Sequence, residues 1–256
     1  MTAANQSTLF YLGAHNPSWL WNKSEFPLFV SRNSLLRYKG FREASVPRWA
    51  LDSGGFTELH SRGRWEMSPR DYAEFVLRCD SEIGSLDFAA PQDWMCEESS
   101  LNATGLSVEH HQYNTVENFL ELRDLLGEIV IPVLQGSSIE SYQRCRYFYE
   151  SAGINLAAER KVGLGSVCRR QATNEIVDLA RSLQPMNLHG FGVKKTGLCK
   201  CGAGTFSSVD SLAWSFRARR MPPLPGHEIR HKNCANCYDF AANYRLELIS
   251  KVKGLL

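Results

Sequence analysis

The chain has 256 residues, of which 43% are hydrophobic and 22% are charged, and its formal net charge is +2. These values are ordinary for a globular protein with a sizeable core, and they exclude a disordered chain. They also exclude a uniformly basic protein, so any contact with nucleic acid must come from local clusters of charge. No apolar run approaches the roughly 20 residues of a membrane-spanning helix, and the first ten residues lack the features of a secretory signal. We therefore expect no membrane partner.

Short apolar runs alternate along the chain with longer segments of helical period. This alternation predicts parallel βα units, and several of the runs are apolar on both faces, as in a sheet that helices cover on both sides. We predict an α/β fold in the form of a (β/α)8 TIM-like barrel, with a doubly wound open sheet as the alternative. The predicted strands are residues 8–15, 26–32, 48–55, 84–91, 128–136, 161–167, 187–193 and 205–211, and the predicted helices between them are 69–82, 116–126, 138–153 and 171–183.

Most of the predicted strands end in polar or glycine-rich residues. In a parallel barrel these carboxyl ends share one face, which is the face that carries active sites. Asp52, Asp93 and Asp210 each lie at or after such an end, and although each could be a helix cap, three acids together favour one shared site. The other polar or glycine residues at these ends are His15, Ser53, Gly54, Gly55, Asp87, Gln135, Gly136, Gly163, Ser166, His189, Lys194 and Ser211.

A Pro-Gly-rich stretch at 219–228 predicts a linker, so we divide the chain into a barrel domain, 1–221, and a small metal-binding segment, 222–256, that ends in a helix at 238–253. The chain has eight cysteines, and only the last four come in close pairs. That spacing is not the disulfide framework of a secreted domain. Reduced thiols and a metal site fit better, so we expect a cytoplasmic protein.

The C-terminal segment contains "GHEIRHKNCANC", in which four nitrogen and sulfur ligands stand within eleven residues. This set suits a closed tetrahedral zinc site, and such a site is structural because no coordination position is left open. The alternatives are a four-thiolate site that uses Cys199 and Cys201 in place of the histidines, or a pair of free thiols. The predicted zinc ligands are His227, His231, Cys234 and Cys237.

Several segments, taken in chain order, resemble the tRNA-guanine transglycosylases. The first, "LDSGGF", resembles the Asp-Ser-Gly-Gly-Phe signature of that family, and the resemblance spans about residues 49–245. Within the family, "ALDSGGFTEL" and "DSLAWSFRARR" are most similar to a short branch, the DpdA-like deoxypurine-in-DNA enzymes, which insert 7-deazaguanine bases into DNA. The family pattern has a further cysteine where this chain has Lys232. The remaining matching segments are "LDFAAPQD", "IPVLQG", "VGLGS", "HGFGV", "SVDSLAW" and "CANCYDFAANY".

The resemblance implies a pentosyltransferase that exchanges guanine for a 7-deazaguanine of the preQ0 type in DNA. It identifies Asp210 as the nucleophile that forms a covalent glycosyl-enzyme. A second carboxylate must manage protons for the departing and the arriving base, and Asp52 fits that role. The alternatives are the same exchange on tRNA, or a non-catalytic barrel that binds nucleic acid or a partner. The presence of both acids argues against a non-catalytic barrel.

The base itself would be recognised through its guanine-like edge, which offers two donors and one carbonyl acceptor. Asp93 suits the two donors, whereas Gln135 and backbone N–H groups near Gly163 and Leu164 suit the carbonyl. Phe56 or Trp94 could stack on the ring. The predicted base-binding residues are Ser53, Asp93, Gln135, Gly136, Gly163 and Leu164.

The target nucleotide must be single-stranded or flipped out of a duplex, and its strand then needs phosphate contacts. Basic pairs occur at 169–170 and 194–195, but we place the phosphate site at a third cluster, with ordinary solvated surface as the alternative. A DNA-modification system of this type could also include partner subunits. His15 and His189 could line the pocket or be structural. The predicted phosphate-binding residues are Arg217, Arg219 and Arg220.

Overall fold

The structure, a computed structural model, describes residues 8–22, 25–167, 174–202, 204–229 and 231–252. Its centre is a sheet of eight strands, and all pairings between them are parallel. Each predicted strand contains one of them. The strands are β1 Leu9–Ala14, β2 Leu28–Ser31, β3 Trp49–Asp52, β4 Leu86–Ala89, β5 Val133–Leu134, β6 Val162–Leu164, β7 Leu188–Gly190 and β8 Ser208–Ser211.

The sheet curls until its two outer strands approach each other. Its strand order is β4-β3-β2-β1-β8-β7-β6-β5. Neighbouring strands are therefore consecutive in the sequence, except where the first strand, β1, pairs with the last, β8. A parallel bridge between Ala89 and Val130 joins the end of β4 to the segment before β5, and Ile131 N donates to Ala89 O at 3.2 Å. The predicted TIM-like α/β barrel is therefore confirmed.

Helices follow the strands on the outside of the barrel. Serine side chains cap the amino ends of several, as at Ser68, Ser107 and Ser138, where each accepts a backbone N–H of the first turn. The helices are α1 Trp19–Asn22, α2 Arg32–Leu35, α3 Gly55–Arg62, α4 Pro69–Ile83, α5 Glu98–Thr104, α6 Val108–Leu126, α7 Ile139–Ser151, α8 Glu175–Ser182, α9 Lys195–Cys201, α10 Ala213–Ala218 and α11 Tyr238–Lys251, with a 3-10 turn at Gly127–Ile129.

The largest departure from the predicted helices concerns α6. Its first two turns are polar and contain adjacent histidines, so apolar period alone places the start at residue 116, whereas the Ser107 cap starts the helix at Val108. The prediction also missed the short helices α1, α2, α3, α5, α9 and α10, which are too brief to show a period. Part of the predicted 171–183 helix, residues 171–173, lies outside the described residues.

Alternation along the strands divides the core into two parts. Tyr11, Phe29, Ala50, Phe88 and Ile131 point inward and form a small cluster within the barrel. Their neighbours in sequence point outward and pack under the helices in a much larger cluster. Because side chains alternate along a strand, the next inward-facing residues are Asp52 at the end of β3 and Asp210, the third residue of β8.

The C-terminal segment packs on this outer cluster. Phe240, Ala241 and Leu248 of α11 are buried in the same cluster as the strands and helices of the barrel. The ring of Tyr238 meets the ring of Trp19 edge-on, with the centroids 5.2 Å apart. The division into segments 1–221 and 222–256 stays a prediction. Over the described part of the chain, no helix has the length and apolar character to span a bilayer.

Candidate active site

A cavity of about 340 Å3 opens at the carboxyl ends of the barrel strands. Its volume falls in the range of about 300–1,000 Å3 that is typical of ligand pockets. The carboxylates of Asp52, Asp93 and Asp210 all line it, together with the amide of Gln135. The three acids predicted to share a site therefore lie around one cavity.

Asp210 is the third residue of β8, two positions after inward-facing Ser208, and in register with Tyr11 of β1. It is 6% exposed. The amide of Gly192 donates to its Oδ1 at 2.9 Å, and His189 Nε2 lies 3.5 Å from the same oxygen. Both groups therefore lie against Oδ1 rather than Oδ2.

Asp52 ends β3, two residues after inward-facing Ala50. Its Oδ1 accepts the Gly54 amide at 3.2 Å. Gly54 has a left-handed backbone with φ of 83°, and a Cβ there would lie 2.6 Å from the Asn33 side chain, so the turn requires glycine. Burial raises the pKa of the Asp52 carboxyl, and the nearby charge of Asp210 raises it further.

Asp93 lies on the loop that follows β4. Burial raises its pKa to about 7, and the charge of Asp52 also raises it. A hydrogen bond from Gln135 lowers the pKa, but by less. The Gln135 amide donates its Nε2–H to Asp93 and accepts Ser166 Oγ–H at 2.6 Å. Ser166 in turn accepts the Cys96 amide at 2.8 Å. Gln135 is therefore held in one orientation behind Asp93.

The predicted base-binding residues divide into two groups. Asp93 and Gln135 reach the cavity, and Phe56 forms part of its wall, 56% exposed. The ring of Trp94 instead meets His111 edge-on, with the centroids 5.4 Å apart, and Trp94 is not part of the cavity wall. Among the described residues, the four other predicted base-binding residues do not line the cavity: Ser53, Gly136, Gly163 and Leu164.

Gly163 and Gly165 differ in their depth along the strand, and the close packing around each glycine shows this difference. The amide of Gly163 donates to Pro132 O at 2.8 Å, and a Cβ on Gly163 would lie 2.5 Å from the Phe191 ring, so Gly163 lies below the cavity floor. Two residues later, Gly165 lines the cavity, and a Cβ there would lie 2.2 Å from Gln135 Nε2. Gly165 is a site residue that the prediction missed, although the inward parity of "VGLGS" points to it.

Gly136 and Ser53 are also accounted for by their surroundings. Gly136 faces the start of α7, where a Cβ would lie 2.7 Å from Ser141 Oγ. Ser53 is buried next to Asp52. Two more cavity residues that the prediction missed are Phe191 and Gly192, which follow β7. No composition or period marks them, because their place depends on where β7 ends.

The expectation that Asp87 lies on the rim is wrong. The register between β3 and β4 shifts so that Trp49 pairs with Leu86 and Ala50 pairs with Phe88, which leaves Asp87 as a bulge. Asp87 accepts the hydroxyl of Tyr11 and pairs with Arg160 just before β6. It therefore lies near the amino ends of the strands, away from the cavity.

Neither of the two histidines considered as pocket residues is part of the cavity wall. His15 follows β1, and its Nε2 lies 2.9 Å from Ser215 Oγ of α10. Burial lowers the pKa of His15, and the charge of Arg219 acts in the same direction. His189 is fully buried in the barrel beneath Asp210.

The basic trio follows β8 on and after α10. Arg217 pairs with Glu247 of α11 at 2.8 Å, so its charge is partly used within the protein. Arg219 and Arg220 are exposed, and the guanidinium of Arg220 lies 3.9 Å from the centroid of the Phe216 ring. The basic pair at 169–170 lies outside the described residues.

The four predicted metal ligands come together between α10 and α11. Their ligand atoms all lie within 4.8 Å of one another: His227, His231, Cys234 and Cys237. Two thiols and two imidazoles are the donor set that zinc favours, so this group could hold a metal ion. Cys199 is exposed on α9 and Cys201 is half-buried, and neither joins the cluster.

The contacts around this cluster also suit a metal site. His231 Nε2 lies 3.3 Å from Cys234 Sγ, and His227 Nδ1 lies 3.4 Å from Cys237 Sγ. The other ring nitrogen of His227 lies 3.5 Å from Asp239. A carboxylate behind a ligating histidine orients its ring, and this partner was not predicted from the sequence.

Comparison with known proteins identifies a family for this chain. The family model described as DeoxyPurine in DNA protein A, DpdA, matches residues 6–255. The comparison with curated proteins finds no significant match. Since the family match spans nearly the whole chain, the protein belongs to the deoxypurine-in-DNA protein A family, whose members resemble tRNA-guanine transglycosylases and modify DNA.

Proposed function

We propose that this protein is a DNA-guanine transglycosylase that exchanges guanine for a 7-deazaguanine of the preQ0 type in DNA. The single observation that carries the proposal is the convergence of Asp52, Asp93 and Asp210 on one cavity at the carboxyl ends of the barrel strands. Base exchange needs a nucleophile, a proton carrier and a group that recognises the base. One carboxylate is available for each task.

Asp210 is the nucleophile in this mechanism. Its Oδ2 attacks C1′ of the target nucleotide as the bond from C1′ to guanine N9 breaks, and the electron pair of that bond goes to guanine. The product is a glycosyl ester of Asp210. The incoming base then attacks C1′ through its own N9, and the ester bond breaks to restore the carboxylate. Two displacements retain the configuration at C1′.

Asp52 carries the proton. Burial and the charge of Asp210 raise its pKa, so the protonated form is more accessible than for an ordinary aspartic acid. Asp52 gives its proton to the departing guanine and receives one from the incoming 7-deazaguanine. The proton count therefore balances over one turnover.

Asp93 recognises the base. Its ionised carboxylate accepts the ring N–H and the exocyclic amine that guanine and 7-deazaguanines share. Gln135 and Ser166 hold it in place. The exposed ring of Phe56 at the mouth and the ring of Phe191 offer apolar walls for a planar base.

The polymer lies across the rim with its target nucleotide flipped into the cavity. Arg219 and Arg220 are the exposed cations that we assign to its phosphates, whereas Arg217 contributes less because Glu247 already pairs with it. We assign DNA as the substrate polymer, and partner subunits of a DNA-modification system could deliver it.

The metal that we assign to the C-terminal cluster is zinc. His227, His231, Cys234 and Cys237 would hold it as a closed structural site, and Asp239 would orient His227. When bound, the ion supplies stability to the segment that joins α10 to α11. No step of the base exchange involves it.

The deciding experiment incubates the full chain with labelled preQ0 and, in separate reactions, DNA and tRNA. We expect label in DNA, with release of an equal amount of guanine. Label in tRNA alone would assign the alternative polymer, and label in neither polymer would count against a transglycosylase. The Asp210→Asn variant serves as the blank, because it keeps the volume of the side chain and lacks the nucleophile.

The metal assignment has its own test. Zinc content and melting temperature are measured for the wild type and for Cys234→Ser, with Cys199→Ser as the matched control because Cys199 is exposed and outside the cluster. We expect about one zinc per chain in the wild type and the control, and a lower content and melting temperature in Cys234→Ser. Equal zinc content in all three proteins would refute this ligand set.

A further inference from the structure

A row of buried polar side chains continues from Asp210 down the axis of the barrel. His189 of β7 lies directly beneath the carboxylate, with its Nε2 3.5 Å from Asp210 Oδ1. Its other ring nitrogen, Nδ1, lies 2.8 Å from Ser208 Oγ of β8, and Lys161 Nζ donates to the same hydroxyl at 2.9 Å. The base exchange as described does not use Lys161, Ser208 or His189.

The chemistry of these groups determines which ring nitrogen carries the proton. An ammonium group only donates, so Ser208 Oγ accepts from Lys161. The Asp210 carboxylate only accepts, which favours the ring form with its hydrogen on Nε2, and the Ser208 hydroxyl then donates to His189 Nδ1. A neutral ring that accepts at Nδ1 carries its hydrogen on Nε2. That N–H faces Asp210. Burial lowers the pKa of His189, although Asp210 acts in the opposite direction, so the ring is neutral at neutral pH.

Aromatic rings hold the histidine in this orientation. The ring centroids of Phe191 and Phe88 lie 4.7 and 4.9 Å from that of His189, and Phe29 lies 5.8 Å away. Tyr11 meets the ring edge-on at 5.9 Å, and its hydroxyl donates to Asp87 of β4 rather than to His189. Burial of this kind excludes water and strengthens a fixed donor.

The contact between His189 and Asp210 is longer than a hydrogen bond, which normally spans about 2.7–3.2 Å. His189 Nε2 is buried, and among the described residues no atom forms a hydrogen bond of normal geometry with it. A buried donor aimed at a carboxylate and left short of contact is typical of a site whose hydrogen bonds tighten when substrate binds.

We propose that Lys161, Ser208 and His189 form a positioning relay that presents the His189 Nε2–H to Asp210 Oδ1 and leaves Oδ2 to attack C1′. The proposal rests on the proposed function, because it takes Asp210 as the nucleophile. The relay also stabilises the carboxylate as it re-forms, when the incoming base displaces it from C1′. His189 touches neither base nor sugar, so it is a positioning residue rather than a catalytic one.

The test compares three variants of the full chain in the preQ0 exchange reaction on DNA. His189→Phe keeps an aromatic ring in the cage and removes both nitrogens, and we expect kcat to fall about 100-fold, as when one buried donor to an oxyanion is lost. The KM for preQ0 stays within about twofold, because the lost contact acts on Asp210 and not on the base. His189→Gln, whose amide N–H can reach the place of Nε2, recovers much of that loss.

The third variant, Ser208→Ala, interrupts the relay at a distance from Asp210. We expect a smaller loss of kcat, about tenfold, since the ring keeps its place but loses the hydroxyl at Nδ1 that supports the tautomer with its hydrogen on Nε2. Ser207→Ala and His110→Gln are the matched controls: the Ser207 hydroxyl donates to the backbone carbonyl of Leu188, and His110 is an exposed residue near the start of α6. Both controls keep the wild-type kcat.

Melting temperatures and circular dichroism verify folding, and if His189→Phe does not fold, Ser208→Ala and His189→Gln carry the test. A wild-type kcat in Ser208→Ala and in the folded His189 variants would overturn the relay. Asp210→Asn is assayed alongside to separate the two hypotheses. Activity in Asp210→Asn overturns the proposed nucleophile, whereas an inactive Asp210→Asn beside fully active His189 and Ser208 variants overturns the relay alone.

Discussion

Asp87 and Asp93 stand six residues apart in the sequence and at opposite ends of the barrel. Asp87, at the amino end, accepts the Tyr11 hydroxyl and pairs with Arg160. Burial raises the pKa of Asp87, but the Tyr11 hydrogen bond and the charges of Lys161 and Arg160 outweigh that effect, so its pKa is lowered overall. This carboxylate is ionised and satisfied within the protein itself.

Asp93, at the rim, has the opposite surroundings. Burial raises its pKa to about 7, its bonded partner Gln135 is neutral, and the charged neighbours that raise the pKa further are two other acids, Asp52 and Glu97. A buried carboxylate without a cation costs stability in the empty protein. The contrast shows that one end of the barrel uses acids for folding, whereas the other keeps acids whose hydrogen-bonding capacity is left for a ligand.

The largest expected effect concerns the rim acid with the nucleophilic role. Asp210→Asn should lower the rate of base exchange at least about 1,000-fold, because removal of a nucleophile leaves only binding and positioning. The measurement is label transfer per unit time under single-turnover conditions. Asp124→Asn, an exposed acid on α6, is the control that should keep the wild-type rate. Undiminished turnover in Asp210→Asn would remove this acid from the mechanism.

The second prediction concerns the pH dependence of base binding. Only ionised Asp93 accepts two donors, so the affinity for preQ0 should rise about tenfold between about pH 6 and pH 8 as a group with pKa near 7 loses its proton. Calorimetric titration of the wild type measures this. In Asp93→Asn the affinity should be about 100-fold lower at pH 8 and nearly independent of pH. A similar slope in both proteins would assign the titration to another group.

The third prediction compares how an acid at each end of the barrel, Asp93 and Asp87, affects the stability of the protein. The pKa of Asp93 is higher in the folded protein than its unfolded value of 3.8, so the stability this group contributes is present below that value and is lost as the pH rises towards about 7. Asp93→Asn should therefore raise the free energy of unfolding of the empty protein at pH 8. The lowered pKa of Asp87 means that its ionised form stabilises the folded protein, so Asp87→Asn should reduce the free energy of unfolding at the same pH. We expect changes on the order of 2 kcal/mol each.

Denaturant unfolding at about pH 8 and pH 4 measures both variants. Towards pH 4 the gain in Asp93→Asn should fade, and the loss in Asp87→Asn should shrink as that carboxylate becomes protonated in the unfolded chain. Destabilisation by both substitutions at pH 8 would remove the distinction between a structural acid and a functional one.

The smallest expected effect concerns the charge of the rim. Arg219→Ala should weaken DNA binding by a few-fold and lower the dependence of log affinity on log salt by about one unit, as expected for one phosphate contact. Binding to labelled single-stranded DNA at several salt concentrations measures both quantities. Arg146→Ala, an arginine on α7 that pairs with Glu150, should change neither. Equal salt dependence in the two variants would show that Arg219 does not contact a DNA phosphate.

Much of the fold is encoded in local patterns. Alternating apolar runs and helical segments predicted all eight strands and the barrel, because each βα unit is a local signal that repeats. The acids at strand ends and the four zinc-type ligands within eleven residues were visible in the same way, since short-range spacing brings them together in almost any compact fold.

Four features depended on the tertiary structure: the bulge that removes Asp87 from the rim, the cavity position of Gly165 in place of Gly163, the packing of His189 beneath Asp210, and the pairing of Arg217 with Glu247. Each depends on register or on contact between distant segments. A register shift of one residue moves every side chain of a strand to the opposite face of the sheet, and the sequence of that strand alone does not reveal the shift. The sequence by itself therefore determined the architecture and the chemical groups available, and the tertiary structure decided which of those groups face one another.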